Sequence, residues 1–153
     1  LLDSHLSELP PFLTAYPGED SGLMIIQYTA ASLVSENKVL VHPASADSIP
    51  TSANQEDHVS MGTIAARQAG EILKNVQYIV AIECLAAAQG IDFLAPLTAG
   101  KGTGAAHHAI RQAVPHLEED RMLAPDIRTI RAMIADGAIV AKVEEVIGEL
   151  KIS

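Results

Sequence analysis

The sequence has no tryptophan, one cysteine and only five phenylalanine or tyrosine residues. Without aromatic bulk the core has to be aliphatic. The lone Cys84 excludes an internal disulfide and points to a reducing, cytoplasmic setting. Basic residues are scarce too. Ten Lys+Arg against 19 Asp+Glu leave a net charge of −9, the wrong sign for a nucleic-acid surface or an anionic membrane. No uncharged run reaches the roughly 20 apolar residues of a membrane span. The chain opens on LLDSH, with neither Met nor a basic-then-apolar leader, so it reads as a piece that begins inside a longer protein.

What remains is rich in apolar residues, 48% against 19% charged, which excludes intrinsic disorder. A length of 153 residues suits one domain with a proper core. The 24 alanines tilt the expectation from sheet to helix. The Pro10-Pro11 pair ends the first segment, and Tyr16-Pro17-Gly18 is turn chemistry. Ser21 can cap a helix running to about Leu40, with apolar residues on nearly every side, so that helix is expected to be buried all round. Pro43–Val59 shows neither helical nor strand period. A helix from about Ser60 to Gln89 follows, stopped by Gly90, and its length implies partner helices from outside the chain. Leu94–Gly104 reads as irregular. Further helices are expected over Ala105–Val114, from Pro125 to Asp136, and from Ala138 to Leu150 with Gly137 between. The fold class is all-α, an elongated helical bundle around one very long helix.

Four features carry chemistry. GKGTG at Gly100–Gly104 lacks the Lys-Ser/Thr pair and the preceding strand of a phosphate loop, so it reads as a plain loop. His107 and His108 are adjacent and diverge on a helix, which suits a solvated or interface-facing pair rather than a metal clamp. Cys84, within the apolar part of the long helix, reads as a small buried hydrophobe. The segment TSANQEDHVSM, Thr51–Met61, places Glu56, Asp57 and His58 together. These could ligate a metal, pair a base with its orienting partner, or simply lead acidic residues into a helix N-terminus. Because consecutive side chains diverge, no stoichiometric metal is expected there.

The run SGLMIIQYTAASLVSENKVLVHPASADSIPTSANQEDHVSMG, Ser21–Gly62, resembles the C-terminal half of the histidine ammonia-lyases. The likeness extends back to LLDSHLSELPPFL at Leu1–Leu13 and on through AIECLAAAQGIDF at Ala81–Phe93 and APDI at Ala124–Ile127. Relatives acting on phenylalanine or tyrosine carry a neutral amide where this chain has Glu56, and commonly Lys where it has Met24. Both positions here follow the histidine pattern.

The resemblance implies that residues 1–153 form the C-terminal helical portion of an enzyme converting L-histidine to trans-urocanate and ammonia. It implies a homotetramer whose active sites each draw on three subunits. It also implies the electrophile 4-methylidene-imidazol-5-one (MIO), made from an internal Ala-Ser-Gly. That tripeptide is missing, since Ala31-Ser32 precedes Leu33 and Ala44-Ser45 precedes Ala46. The MIO-forming N-terminal portion, with the tyrosine base and the substrate-binding arginine, is therefore expected outside this chain. What maps onto it is Glu56 facing the substrate's imidazole or amine, Met24 as a pocket wall, and Gln55 as a weaker neighbouring candidate. A carboxylate in a dry pocket would hydrogen-bond an imidazole N–H and fix its tautomer, and burial would raise its pKa. The competing reading is a non-catalytic helical oligomerisation or binding module that keeps the scaffold without the chemistry.

Overall fold

The computed structural model describes residues 1–46 and 48–151. Among them are five α-helices and no strand: α1 Met24–Leu40, α2 Gly62–Phe93, α3 Lys101–Ala113, α4 Ala124–Ala135 and α5 Ala138–Ile147. Helix α2 has 32 residues and organises the rest. α1 and α4 lie along it, while α3 pairs mainly with α5. The core gathers around the C-terminal half of α2, where Ala81, Ile82, Leu85, Ala86 and Ala88 meet Leu13, Leu23 and Ile26 from one side and Ile110, Ile127 and Ile130 from the other. Alanines recur on this face because small side chains let neighbouring helices approach closely.

The N-terminal half of α2 is bare. Ile64, Leu73 and Val76 are exposed, as are Ile25, Tyr28, Val34 and Val39 of α1. Burial of α1 on all sides is thus not achieved within one chain, because Ile26 is its one fully buried residue. Length and mean hydropathy (1.2 over its most apolar 18 residues) would let α2 cross a bilayer. Charges at Arg67, Glu71, Lys74, Glu83 and Asp92, with packing against α1, α3 and α4, identify it as a core helix instead.

Several boundaries differ from the sequence pattern. Gly90 does not stop α2; it is buried within the helix, where a Cβ would lie 3.1 Å from Leu9 Cδ1. Its bareness serves close approach of the N-terminal segment, and the helix ends at Phe93, ahead of Pro96. Of the GKGTG glycines, Gly100 precedes α3 at its N-cap, and Gly102 and Gly104 lie in its first turn rather than in a loop. There Gly102 admits Ile147 of α5, whose Cδ1 would be 3.2 Å from an added Cβ. Ser21 makes no side-chain cap; α1 starts after Leu23 instead. Gly137, at φ +76°, separates α4 from α5, and Pro125 occupies the first turn of α4, as their residue types require. α5 stops before Gly148 rather than at Leu150.

Candidate functional site

Met24 opens α1, half-buried, and its position is determined from far along the chain. The Asp120 carboxylate accepts the backbone N–H groups of Ser21 at 2.8 Å and Gly22 at 2.9 Å. The Ser21 bond above all, then Gly22, holds the Asp120 carboxyl below the usual carboxylate range. Gly22 takes φ +54°, and an added Cβ would stand 2.6 Å from the Phe12 carbonyl oxygen. Leu23 N–H then donates to that same oxygen at 2.9 Å. The start of α1 is thus clamped between residues 12–14 and Asp120.

Gln55 and Glu56 lie on an exposed loop closed twice. At its base Val59 N–H donates to Ser48 Oγ at 2.8 Å. Nearer the tip, Thr51 N–H donates to the Glu56 carbonyl at 2.9 Å and Glu56 N–H to the Thr51 carbonyl at 3.3 Å, an isolated antiparallel bridge. Between them Ser52, Ala53 and Asn54 take φ of 52°, 54° and 67°. For a residue other than glycine this left-handed region costs about 1–3 kcal/mol. Residues 51–58 are all exposed, so the dry surroundings expected for the Glu56 carboxylate are not supplied by this chain.

One chain also holds Met24 and Glu56 apart. α1 and α2 run antiparallel: the Asn75 side-chain amide donates to Glu36 and Asn37 near the end of α1, whereas Ile26 near its start lines one hollow with Ile82 and Ala86. From Gly62 to Ile82 the helix rises about 30 Å at 1.5 Å per residue. The six-residue tether from Glu56 to Gly62 reaches back at most about 20 Å. A gap of at least about 10 Å between the two backbones therefore remains within one chain.

A second polar centre escaped the sequence reading. Asp92, at the end of α2, accepts His107 Nε2–H and His116 Nδ1–H, each at 2.7 Å, and pairs with Arg111 at 2.7 Å. Burial pushes its carboxyl pKa up, but the bonds from His116 and His107 and the charge of Arg111 prevail and bring it below the ordinary value. Gln89, one turn earlier and 1% exposed, reads the backbone of Leu117 with both ends of its amide, at 3.0 and 3.1 Å, and also donates to Leu13 O at 3.3 Å. These residues lock α2, α3, the N-terminal segment and the 114–121 crossover together. His107 is therefore committed to a hydrogen bond with Asp92 rather than solvated, while His108 is exposed and bonds Gln112. The signal was Gln89 and Asp92 at i, i+3 in an apolar stretch, where polar groups need partners. Cys84 is half-buried; desolvation first, then neighbouring Glu83, pushes its thiol pKa up, which suits its packing role.

A clamped helix start, a strained loop bearing Gln55 and Glu56, and an all-helical frame around α2 can now be set beside known proteins. Residues 1–112 match the aromatic amino acid lyase family, and the chain belongs to that family. Within it, the chain is 59% identical over 143 residues to histidine ammonia-lyase of Natranaerobius thermophilus, covering 94% of this chain and 28% of that protein. It is 57% identical over 151 residues to histidine ammonia-lyase of Symbiobacterium thermophilum, covering 99% and 30%. Among solved structures, histidine ammonia-lyase from Trypanosoma cruzi superposes with a TM-score of 0.91 at 48% identity, over 94% of this chain and 28% of that one. Tyrosine aminomutase from Streptomyces globisporus gives 0.92 at 36% identity, over 99% and 29%. The chain thus spans less than a third of the length of these relatives.

Proposed function

We propose that this chain is the C-terminal helical part of a histidine ammonia-lyase working in the cytoplasm, which eliminates ammonia from L-histidine to give trans-urocanate. The observation that carries the reading is the 59% identity to a histidine ammonia-lyase over nearly the whole chain, against 36% to the tyrosine aminomutase of equally similar fold. Met24 and Glu56 are the residues that the resemblance assigns to the histidine pattern.

The prosthetic group of this family, MIO, supplies the electrophile that activates the ammonia leaving group. The residues present do not make it. Ala31-Ser32 runs on into Leu33 inside α1, and Ala44-Ser45 into Ala46, so neither offers the glycine that cyclisation takes. What this chain contributes is recognition. The Glu56 carboxylate accepts an imidazole N–H and selects the tautomer, Gln55 stands beside it, and Met24 walls the side-chain pocket. Packing of further copies over the loop supplies the dryness that a single chain lacks.

The test has two arms. Incubated with L-histidine, the purified chain alone is expected to produce no urocanate absorbance above a mock preparation. The product of the whole reading frame containing this segment is expected to turn over L-histidine and to leave L-tyrosine and L-phenylalanine essentially untouched. Preference for tyrosine or phenylalanine would overturn the substrate, and turnover by the isolated chain would overturn the division of labour.

A further inference from the structure

Two segments place consecutive non-glycine residues in the left-handed region, and they differ in what holds them there. Phe12 and Leu13, at φ 54° and 55°, are secured by packing: Leu13 is 0% exposed, and the backbone of Phe12 bonds Leu2 and Leu23. Among the described residues of one chain, Ser52, Ala53 and Asn54 have no such burial. They are exposed, and the bonds that close their turn are backbone ones, Gln55 N–H to Ser52 O at 3.2 Å and the Thr51–Glu56 pair. Within the chain this disfavoured conformation is held by the turn's backbone bonds, and the same bonds fix the backbone of Glu56.

We infer that the left-handed turn Ser52–Ala53–Asn54 is a positioning device that presents Glu56 to the substrate. The turn reverses the chain within four residues and lets Glu56 exchange both backbone bonds with Thr51, which fixes the backbone from which the carboxylate projects. The base of the loop is held independently by Ser48 and Val59, so relaxing the tip releases Glu56 without unfolding the loop's anchor. Ala53, at the centre, is the sensitive position. Glycine there accepts the left-handed region freely, whereas a β-branched side chain is a steric outlier in it. This inference rests on the reading of Glu56 as the residue that recognises the imidazole.

The experiment is a double-mutant cycle in the complete enzyme containing this chain, with steady-state kinetics on L-histidine and the assembly's mass and melting temperature as fold controls. Ala53→Val is expected to lower kcat/KM by about ten- to a hundredfold, as Glu56→Gln does, because both lose the same interaction. In the Glu56→Gln background, Ala53→Val is expected to add no more than about a twofold loss. Ala53→Gly is expected to stay within about twofold of the parent. If the Val variant does not assemble, Asn54→Ala is the gentler probe. Its expected loss of about fivefold should likewise vanish beside Glu56→Gln. Normal activity of Glu56→Gln would remove the underlying reading of Glu56. An impaired Glu56→Gln enzyme with a normal or fully multiplicative turn variant would leave that reading standing and overturn the positioning role alone.

Discussion

At the scale of single residues, Gly22 and the proposed recognition residue Glu56 are expected to be sensitive for different reasons. Gly22 is a matter of space and conformation. Its φ of +54° and the carbonyl oxygen 2.6 Å from any Cβ mean that Gly22→Ala meets both torsional strain and a backbone clash. A loss of about 2–4 kcal/mol is expected in denaturant unfolding. Gly70→Ala, in α2 with open space around it, is expected instead to stabilise by up to about 1 kcal/mol. Equal losses for both would contradict the geometry. For Glu56 the proposed role is a matter of charge. On that proposal, Glu56→Gln in the complete enzyme keeps the shape and is expected to remove a charge-assisted bond worth about 1.5–3 kcal/mol, one to two powers of ten in kcat/KM. If Glu56 also moves a proton, a further loss of about 10²–10⁴ should fall mainly on kcat. Asp57→Asn serves as control, and a near-normal Glu56→Gln enzyme would take Glu56 out of the site.

At the scale of elements, the joint between α2, α3 and the 114–121 crossover depends on the ionised Asp92. Its folded-state pKa lies below the ordinary value, so the stability it contributes is fully present above the unfolded aspartate pKa of about 3.9. That contribution is lost as pH falls through the lower, folded-state pKa. Asp92→Asn should therefore lower the melting temperature at neutral pH and flatten its decline below about pH 4. Parallel acid limbs for the two proteins would show that Asp92 does not set this dependence. Gln89 acts at the same joint but carries no charge, so its replacement should destabilise evenly across pH.

At the scale of the whole molecule, the chain exposes 10219 Å², whereas a self-contained monomer of 16.1 kDa should expose roughly 7,400 Å². The excess is several times the roughly 800 Å² per partner that a standard interface buries. Much of it is apolar, along α1 and the bare half of α2. Light scattering at micromolar concentration is thus expected to give a mass above 16.1 kDa. A well-folded monomer by circular dichroism would show that this surface tolerates water.

The sequence by itself determined the helical class, the long helix, the turns at Pro125 and Gly137, and the likeness carried by the run Ser21–Gly62. Apolar period, capping chemistry and a long motif are all local along the chain, so they are legible there. Tertiary structure alone decided the rest. Gly90 is a packing contact and not a helix stop because Leu9 arrives from the far end of the sequence. Asp120 clamps the start of α1 from 99 residues away, and Asp92 gathers His107, Arg111 and His116 only once three segments converge. The separation of Met24 from Glu56 likewise follows from the antiparallel register of α1 on α2, a relation between helices that neither helix's own pattern contains.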